Sequence, residues 1–213
     1  MIYFYLGMAI VIALIVYYYY FSFRKKKIPR TNSLYTDALN AMVNGDLSNA
    51  IALLKQVVKQ DSNHVRAYLQ LGNILRKDNP EQALKIHQSL TVRPNLSRDI
   101  QVDIHTALAE DYGFLSNYKK AIEEAKLVLA IEKRNLWALN FLINISVENQ
   151  DWEEAIKWTK QHQKITGKTT SEDEAKFDVF KGRDYLKSGD FEKAKSQFEK
   201  GIKVSPDFPP SYR

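Results

Sequence analysis

The heptapeptide Ser-Gly-Asp-Phe-Glu-Lys-Ala at residues 188–194 is the clearest copy of a phrase that recurs along this chain. Related copies are Asn-Gly-Asp-Leu-Ser-Asn-Ala at 44–50, Asn-Tyr-Lys-Lys-Ala at 117–121 and Asp-Trp-Glu-Glu-Ala at 151–155. A weaker copy, Asp-Asn-Pro-Glu-Gln-Ala, occupies 78–83. In each copy an Asp or Asn that can cap a helix precedes a small alanine on the helix that follows. The phrase therefore predicts the junction between two antiparallel helices.

The last alanines of the five copies occur at positions 50, 83, 121, 155 and 194, with spacings of 33, 38, 34 and 39 residues. A period near 34 with a helix–turn–helix pattern is the signature of the tetratricopeptide repeat. The predicted fold class is all-α, with five repeats in residues 34–206 forming an α-solenoid, a right-handed superhelix of helix pairs. Residues 207–213 resemble the start of a further repeat, which is typical of a fragment.

The turn of each copy makes specific structural predictions. Gly45 and Gly189 are expected to adopt positive φ at the end of a first helix. The small alanine is expected to let the second helix approach the first closely, so that a larger side chain there would overpack. An aromatic or leucine side chain at the position after the capping residue, three residues before the alanine, is expected to pack beneath the turn. These residues are Leu47, Tyr118, Trp152 and Phe191.

The N-terminus has a different character. Residues 2–23 carry no charged side chain, and as a helix they would span about 33 Å, close to the thickness of about 30 Å of a bilayer core. A basic cluster follows them, made of Arg24, Lys25, Lys26, Lys27 and Arg30. We therefore predict a single transmembrane helix at 1–23 and a basic juxtamembrane linker at 24–33. A cleaved signal peptide is disfavoured because the charges follow the apolar core. Since basic residues flank the cytoplasmic side of a span, the repeats are expected in the cytoplasm.

Composition argues against several functions. The chain has no cysteine, which excludes disulfides, thiolate catalysis and cysteine-based zinc sites. The histidines at 64, 87, 105 and 162 have no metal-ligand spacing, and no nucleophile–base pair is evident. We predict a protein that is not an enzyme and has no cofactor or metal. His87 takes the second-helix position where Phe is usual, so it is predicted to be a packing residue.

The net charge of +6 comes mainly from one segment. Five of the charges lie in residues 24–30, so the rest of the chain is close to neutral at +1. A near-neutral domain has no broad basic field, and nucleic acid is therefore not predicted as a partner.

The useful surface of a solenoid is its concave groove, which first helices line. The predicted partner-binding residues are Arg66, Gln70, Asn73, Arg76, Lys77, Glu110, Trp137, Asn140, Phe141 and Asn144, with Thr106 and Phe114 beside them. Trp137 and Phe141 leave two interpretations open. They either contact a partner in the groove or pack one repeat onto its neighbour.

Three strings carry a family resemblance. Leu-Gly-Asn-Ile-Leu-Arg at 71–76 and Ala-Leu-Lys-Ile-His-Gln-Ser-Leu at 83–90 resemble the lipopolysaccharide assembly protein B family. Ala-Glu-Asp-Tyr at 109–112 is similar to that family's third repeat. The order of apolar segment, basic flank and repeats also resembles the family. The family ends in a rubredoxin-like zinc module, and this sequence, which lacks cysteine, departs from the family there.

The resemblance implies an adaptor on the cytoplasmic side of the bacterial inner membrane. It would regulate lipopolysaccharide synthesis by presenting a lipid A biosynthetic enzyme to a membrane AAA+ protease. The alternative is a structural scaffold for another membrane assembly, such as division or secretion, with no role in proteolysis. The predicted partners are proteins and the membrane. The small pair Ala9 and Ala13 leaves a homo-oligomer open.

Overall fold

The structure, a computed structural model, describes residues 7–8, 11–17, 30–168 and 171–205. From residue 30 onward the described ranges hold ten helices and no strand. The helices are α1 Arg30–Val43, α2 Leu47–Gln60, α3 Val65–Leu75, α4 Pro80–Thr91, α5 Arg98–Phe114, α6 Tyr118–Ile131, α7 Leu136–Glu148, α8 Trp152–Thr166, α9 Ser171–Lys187 and α10 Phe191–Val204.

The chain divides into two compact units, residues 1–67 and 68–213. In the first unit α1 packs against α2. In the second, Gly72 of α3 contacts His87 of α4, and α5 packs on α6, α7 on α8 and α9 on α10. Each later first helix also packs on the second helix before it, α5 on α4, α7 on α6 and α9 on α8. The predicted succession of helix pairs is therefore present.

The turns within the helix pairs follow one local design. Gly45 and Gly189 have φ of +77° and +80°, which confirms the predicted left-handed conformation. Ser116 and Gln150 occupy the same place in other repeats, with φ of +56° and +59°. The capping side chain then accepts a hydrogen bond from the backbone N–H three residues on, which satisfies a donor that the helix leaves unpaired. The capping residues are Asp46, Asn79, Asn117, Asp151 and Asp190.

Small residues allow the close helix approach that the repeat phrase predicts. The alanines at 50, 83, 121 and 155 are fully buried, and Ala194 is 1 % exposed. Around the third and fourth repeats the core cluster consists of Ala109, Ala125, Leu139, Leu142 and Trp158. The predicted role of the alanine is confirmed at all five positions.

The residue at the start of the second helix behaves differently from expectation. Leu47 and Phe191 are 49 % and 69 % exposed, so the prediction that they pack beneath their own turn is wrong. Trp152 shows where this side chain points instead. Its ring lies 5.1 Å from the ring of Phe180, and its Nε1–H donates to Asp184 Oδ2 at 2.7 Å. Both partners belong to α9, so the position serves contact with the following repeat.

The prediction of a membrane span at 1–23 is wrong. Among residues 7–8, 11–17, 30–168 and 171–205, no helix is both long enough and apolar enough to cross a bilayer. The fold class is therefore corrected to an all-α repeat fold without the predicted transmembrane helix. The assignment to the bacterial inner membrane as a single-pass protein is corrected with it.

Several predictions fall outside the described residues. Four of the five basic residues predicted to flank a membrane, Arg24, Lys25, Lys26 and Lys27, are among them, and Arg30 is the first residue of α1. Ala9 and the segment 207–213 also lie outside the described residues.

Candidate partner-binding surface

Arg76, which directly follows α3, joins two first helices of neighbouring repeats. Its Nε donates to Asp111 Oδ1 and its Nη1 to Glu110 Oε2, both at 2.6 Å. Its Nη2 donates to Asn73 Oδ1 at 2.9 Å and to the Ala107 carbonyl at 3.3 Å. Hydrogen bonds to a charged donor are stronger than neutral ones, so this guanidinium fixes the end of α3 against α5.

Asp111 lies between two nitrogen donors. Its Oδ1 accepts from Arg76, and its Oδ2 lies 2.5 Å from His87 Nδ1. The second ring nitrogen of His87, Nε2, lies 3.2 Å from the Leu69 carbonyl oxygen, which can only accept. The side chains of Asp111 and His87 are both 0 % exposed. The Asp111 carboxylate therefore lies between the Arg76 guanidinium on one side and the His87 ring on the other.

Gly72 makes room for the His87 ring. A Cβ atom at residue 72 would lie 2.3 Å from His87 Nε2 and 2.6 Å from its Cε1, which is far inside van der Waals contact. The last repeat repeats this arrangement, because a Cβ at Gly182 would lie 2.6 Å from Phe198 Cε1. His87 therefore occupies the predicted phenylalanine position and is buried as expected. The ion pair with Asp111 was not predicted from the sequence.

The structure places the predicted residues of α3 and α5 in distinct environments. Asn73 and Lys77 are exposed, Gln70 is half-buried and Thr106 is half-buried. The side chain of Glu110 is 36 % exposed, whereas that of Arg76 is 17 % exposed. The donors of Arg76 are directed to acceptors in the same unit, and two of those acceptors are the side chains of Asn73 and Glu110. Arg66 is exposed and lies in the first unit.

The predicted residues of α7 separate into two pairs. The rings of Trp137 and Phe141 stack with centroids 5.1 Å apart and an interplanar angle of 22°. Both side chains are half-buried against the core, and Phe141 also reaches the backbone at Gly113 of α5. This favours packing between repeats for the aromatic pair. Asn140 and Asn144 are exposed and one turn apart, so they share a face of α7.

Phe114 is an exposed aromatic residue at the C-terminal end of α5. Its side chain is 55 % exposed, and Glu110 lies one turn before it on the same face. Neither Asn140 nor Asn144 has a hydrogen-bond partner among the described residues. We call the exposed predicted residues of the second unit the first-helix surface. It consists of Asn73, Lys77, Glu110, Phe114, Asn140 and Asn144.

Family models for the tetratricopeptide repeat match residues 35–88 and 179–208. The chain carries tetratricopeptide repeats. This result confirms the fold predicted from the spacing of the alanines. Stacked repeats of this kind present extended surfaces on which other proteins bind, so the chain is a protein-interaction scaffold by fold.

The chain is similar to lipopolysaccharide assembly protein B of Escherichia coli (strain K12). The two are 23 % identical over 168 residues, which cover 78 % of this chain and 43 % of the relative. The chain thus spans less than half the length of the curated relatives that it matches. The resemblance predicted from residues 71–76, 83–90 and 109–112 is therefore confirmed as a similarity of 23 % identity over 78 % of this chain.

Solved structures show the same fold. A crystal structure of MamA protein superimposes with a TM-score of 0.60 at 19 % identity, covering 84 % of this chain and 94 % of that one. A tetratricopeptide repeat protein from Parabacteroides merdae ATCC 43184 also gives 0.60, at 17 % identity, covering 83 % and 67 %. At these identities the likeness concerns the fold alone.

Proposed function

We propose that this chain is a protein-binding adaptor in lipopolysaccharide assembly, which presents a lipid A biosynthetic enzyme to a protease through its first-helix surface. The observation that carries this proposal is the similarity to lipopolysaccharide assembly protein B over 78 % of the chain. The strings that first indicated the resemblance contain Gly72, Arg76, His87 and Asp111. In this chain those four residues form the network that joins the second and third repeats.

The network supports the proposal because it preorganises part of the binding surface. Asn73 Oδ1 accepts from Arg76 Nη2, which leaves the Asn73 amide donors for a partner. Glu110 is held at 2.6 Å by the same guanidinium and keeps a third of its side chain exposed. A surface whose side chains are fixed before binding loses less conformational entropy when the partner docks.

The chemistry of the first-helix surface suits a polypeptide ligand. Asn140 and Asn144 present amide groups that can both donate and accept, which matches the alternating N–H and C=O groups of an extended backbone. Phe114 supplies an aromatic side chain of the kind that anchors protein interfaces. Lys77 and Glu110 bring opposite charges, which orient a partner more than they add affinity.

The test is affinity capture from a lysate of the native bacterium, using a C-terminal tag and mass spectrometry. Wild type is compared with the double variant Asn140→Ala/Asn144→Ala and with Lys119→Ala, an exposed residue of a second helix. We expect a lipid A biosynthetic enzyme and a protease to copurify with wild type and Lys119→Ala. The double variant is expected to recover about tenfold less of the enzyme, as loss of two interface hydrogen bonds predicts.

Two outcomes would contradict the proposal. Recovery of only division or secretion proteins would support the structural scaffold instead. Undiminished capture of the enzyme by the double variant would remove the asparagine pair of α7 from the binding site. A companion measurement follows the cellular level of the enzyme when the chain is deleted. That level should rise if the chain delivers the enzyme to a protease.

A further inference from the structure

A strongly basic pocket, which shares no residue with the first-helix surface, lies between the α6–α7 turn and α8. Lys133 and Arg134 belong to the turn that follows Ile131, and Lys160 and Lys164 lie one helical turn apart on α8. Together with Gln161 and Ile165 they line an open cavity of about 700 Å³. We call these six residues the basic pocket.

The four cations of the basic pocket are not compensated within the chain. All four are exposed, and none has an ion-pair or hydrogen-bond partner among the described residues. Other lysines of the same unit do have such partners. Lys157 pairs with Glu154 at 2.8 Å and Lys193 with Asp190 at 2.7 Å.

No acidic residue lines the cavity. Glu132, the acidic residue of the turn, accepts a hydrogen bond from Asn135 Nδ2 at 2.7 Å and is not among the lining residues. Arg98 donates to the Ile131 carbonyl at 2.7 Å, so one more cation lies beside the end of α6. Only Lys164 lies in the last turn of α8, where the helix dipole favours a cation. The four cations of the basic pocket therefore repel one another, and an anionic ligand would relieve that repulsion.

This charge is local. Outside residues 24–30 the chain carries a net charge of only +1. The four unpaired cations are therefore a local cluster around one cavity and not part of a surface that is basic throughout. An extended track of cations and exposed aromatic rings, which single-stranded nucleic acid requires for backbone contact and base stacking, does not line this pocket.

We infer that the basic pocket binds an acidic segment of a protein partner, in which carboxylate side chains flank an apolar residue. The Arg134 guanidinium can hold a carboxylate by two parallel hydrogen bonds, whereas the lysines act as point charges. The half-buried Ile165 offers apolar contact, and the Gln161 amide can bond the peptide backbone. This site does not depend on the identity of the partner at the first-helix surface.

The test uses a labelled peptide built from glutamate pairs separated by leucines, and fluorescence anisotropy with the full chain. The control peptide has glutamine in place of each glutamate. We expect the acidic peptide to bind in buffer of about 0.15 M ionic strength, and its affinity to fall as salt is raised, because screening weakens exposed charges. The control peptide is expected not to bind.

Two double variants show whether the site or the overall charge is responsible. Lys160→Gln/Lys164→Gln removes two cations of the pocket, and Lys55→Gln/Lys59→Gln removes two exposed lysines with the same spacing on α2. The first pair is expected to lower the affinity about tenfold, as loss of two complementary charges predicts. The second is expected to leave the affinity unchanged, and circular dichroism should show that both variants keep their helices.

Any one of the following results would overturn the inference. Wild type fails to bind the acidic peptide, or both double variants weaken binding equally, or the glutamine peptide binds as well as the acidic one. A labelled single-stranded DNA that competes for the pocket with higher affinity would also overturn it, because it would assign the site to nucleic acid. None of these results bears on capture through Asn140 and Asn144, so the two proposals fail separately.

Discussion

At the scale of the residue, Gly72 determines whether His87 can occupy its site. Replacing a helix-interior glycine by alanine normally stabilises a helix by about 0.5–1 kcal/mol. Here the added Cβ would lie 2.3 Å from His87 Nε2. We predict that Gly72→Ala lowers the free energy of unfolding by about 1–3 kcal/mol, since the ring must move and overpacking costs that much. Denaturant unfolding measures the change.

Gly113→Ala provides the matched control for this prediction. A Cβ there would lie 3.4 Å from Phe141 Cζ, which the ring can accommodate with at most a small adjustment. We expect this variant to be as stable as wild type or slightly more stable. A Gly72→Ala protein with undiminished stability would show that His87 does not lie against α3 as described.

The neighbouring acids Glu110 and Asp111 provide a second comparison. Asp111 is fully buried between Arg76 and His87, whereas the Glu110 side chain is 36 % exposed. Removing one partner of a buried ion pair costs about 3–5 kcal/mol because the remaining charge is left uncompensated. An exposed ion pair contributes about 0–1 kcal/mol.

We therefore predict a large loss of stability for Asp111→Ala and a small one for Glu110→Ala, as measured by the midpoint of urea unfolding. Near-equal losses for the two variants would contradict the network. So would a double variant, Asp111→Ala with His87→Phe, that is no more stable than Asp111→Ala alone. The phenylalanine should remove the buried His87 Nδ1 that loses its partner in Asp111→Ala, and a phenylalanine fits there because Phe198 fills the same place against Gly182 in the last repeat.

Sequence reasoning found the position of His87 but not its partner. The repeat pattern places residue 87 at the buried phenylalanine position, so its burial was predictable. The partner Asp111 lies on another helix, 24 residues away, and periodicity within one helix does not reveal such a pair. One signal was present. Asp111 falls on the same stripe of α5 as Leu108 and Tyr112, and a carboxylate on a buried stripe requires a cationic partner.

At the scale of the element, the alanine of each repeat sets the distance between the two helices of a pair. Ala121 is fully buried on α6, whereas Ala130 on the same helix is exposed. We predict that Ala121→Leu destabilises the fold by about 1–3 kcal/mol through overpacking, whereas Ala130→Leu changes the stability by less than about 0.5 kcal/mol. Thermal unfolding followed by circular dichroism measures both. A destabilisation by Ala130→Leu as large as that by Ala121→Leu would contradict the helix packing.

Local signals predicted the helix pairs well because they act within a few residues. The capping side chains and the positive φ of Gly45 and Gly189 depend only on their own turns. The placements of Leu47 and Phe191 were predicted wrongly because burial at this position comes from the next repeat, as the contact of Trp152 with Phe180 shows. Capping and turn geometry are local, whereas burial is a tertiary property.

The error at residues 1–23 has a different cause. Length and apolar composition indicated a membrane span, but hydropathy alone does not establish a helix that crosses a bilayer. No helix in the part of the chain that the structure describes is long and apolar enough to do so. For the repeats, in contrast, five copies of one phrase predicted the helices independently, and agreement among copies is stronger than a single compositional signal.

At the scale of the whole molecule, charge and exposed apolar groups are distributed over different faces of the repeats. The first-helix surface holds both signs of charge, three side-chain amides and Phe114, which suits a partner recognised by hydrogen bonds and one aromatic contact. The charged residues that line the basic pocket are all cations, of which Lys160 and Lys164 lie on a second helix. A scaffold with two such surfaces can hold two different protein segments at once, as an adaptor requires.

The independence of the two surfaces is the last prediction. Asn140→Ala/Asn144→Ala is expected to lower enzyme capture about tenfold and to keep the affinity for the acidic peptide. Lys160→Gln/Lys164→Gln is expected to lower the peptide affinity about tenfold and to keep enzyme capture. The quadruple variant should show both losses and remain folded, because exposed substitutions change stability by about 0.5 kcal/mol or less each. Capture from lysate and peptide anisotropy are measured on the same four proteins, with thermal unfolding as the check on folding.

If the lysine pair alone abolishes enzyme capture, one partner spans both surfaces and they are not independent. If the asparagine pair abolishes peptide binding, the acidic segment docks on first helices instead.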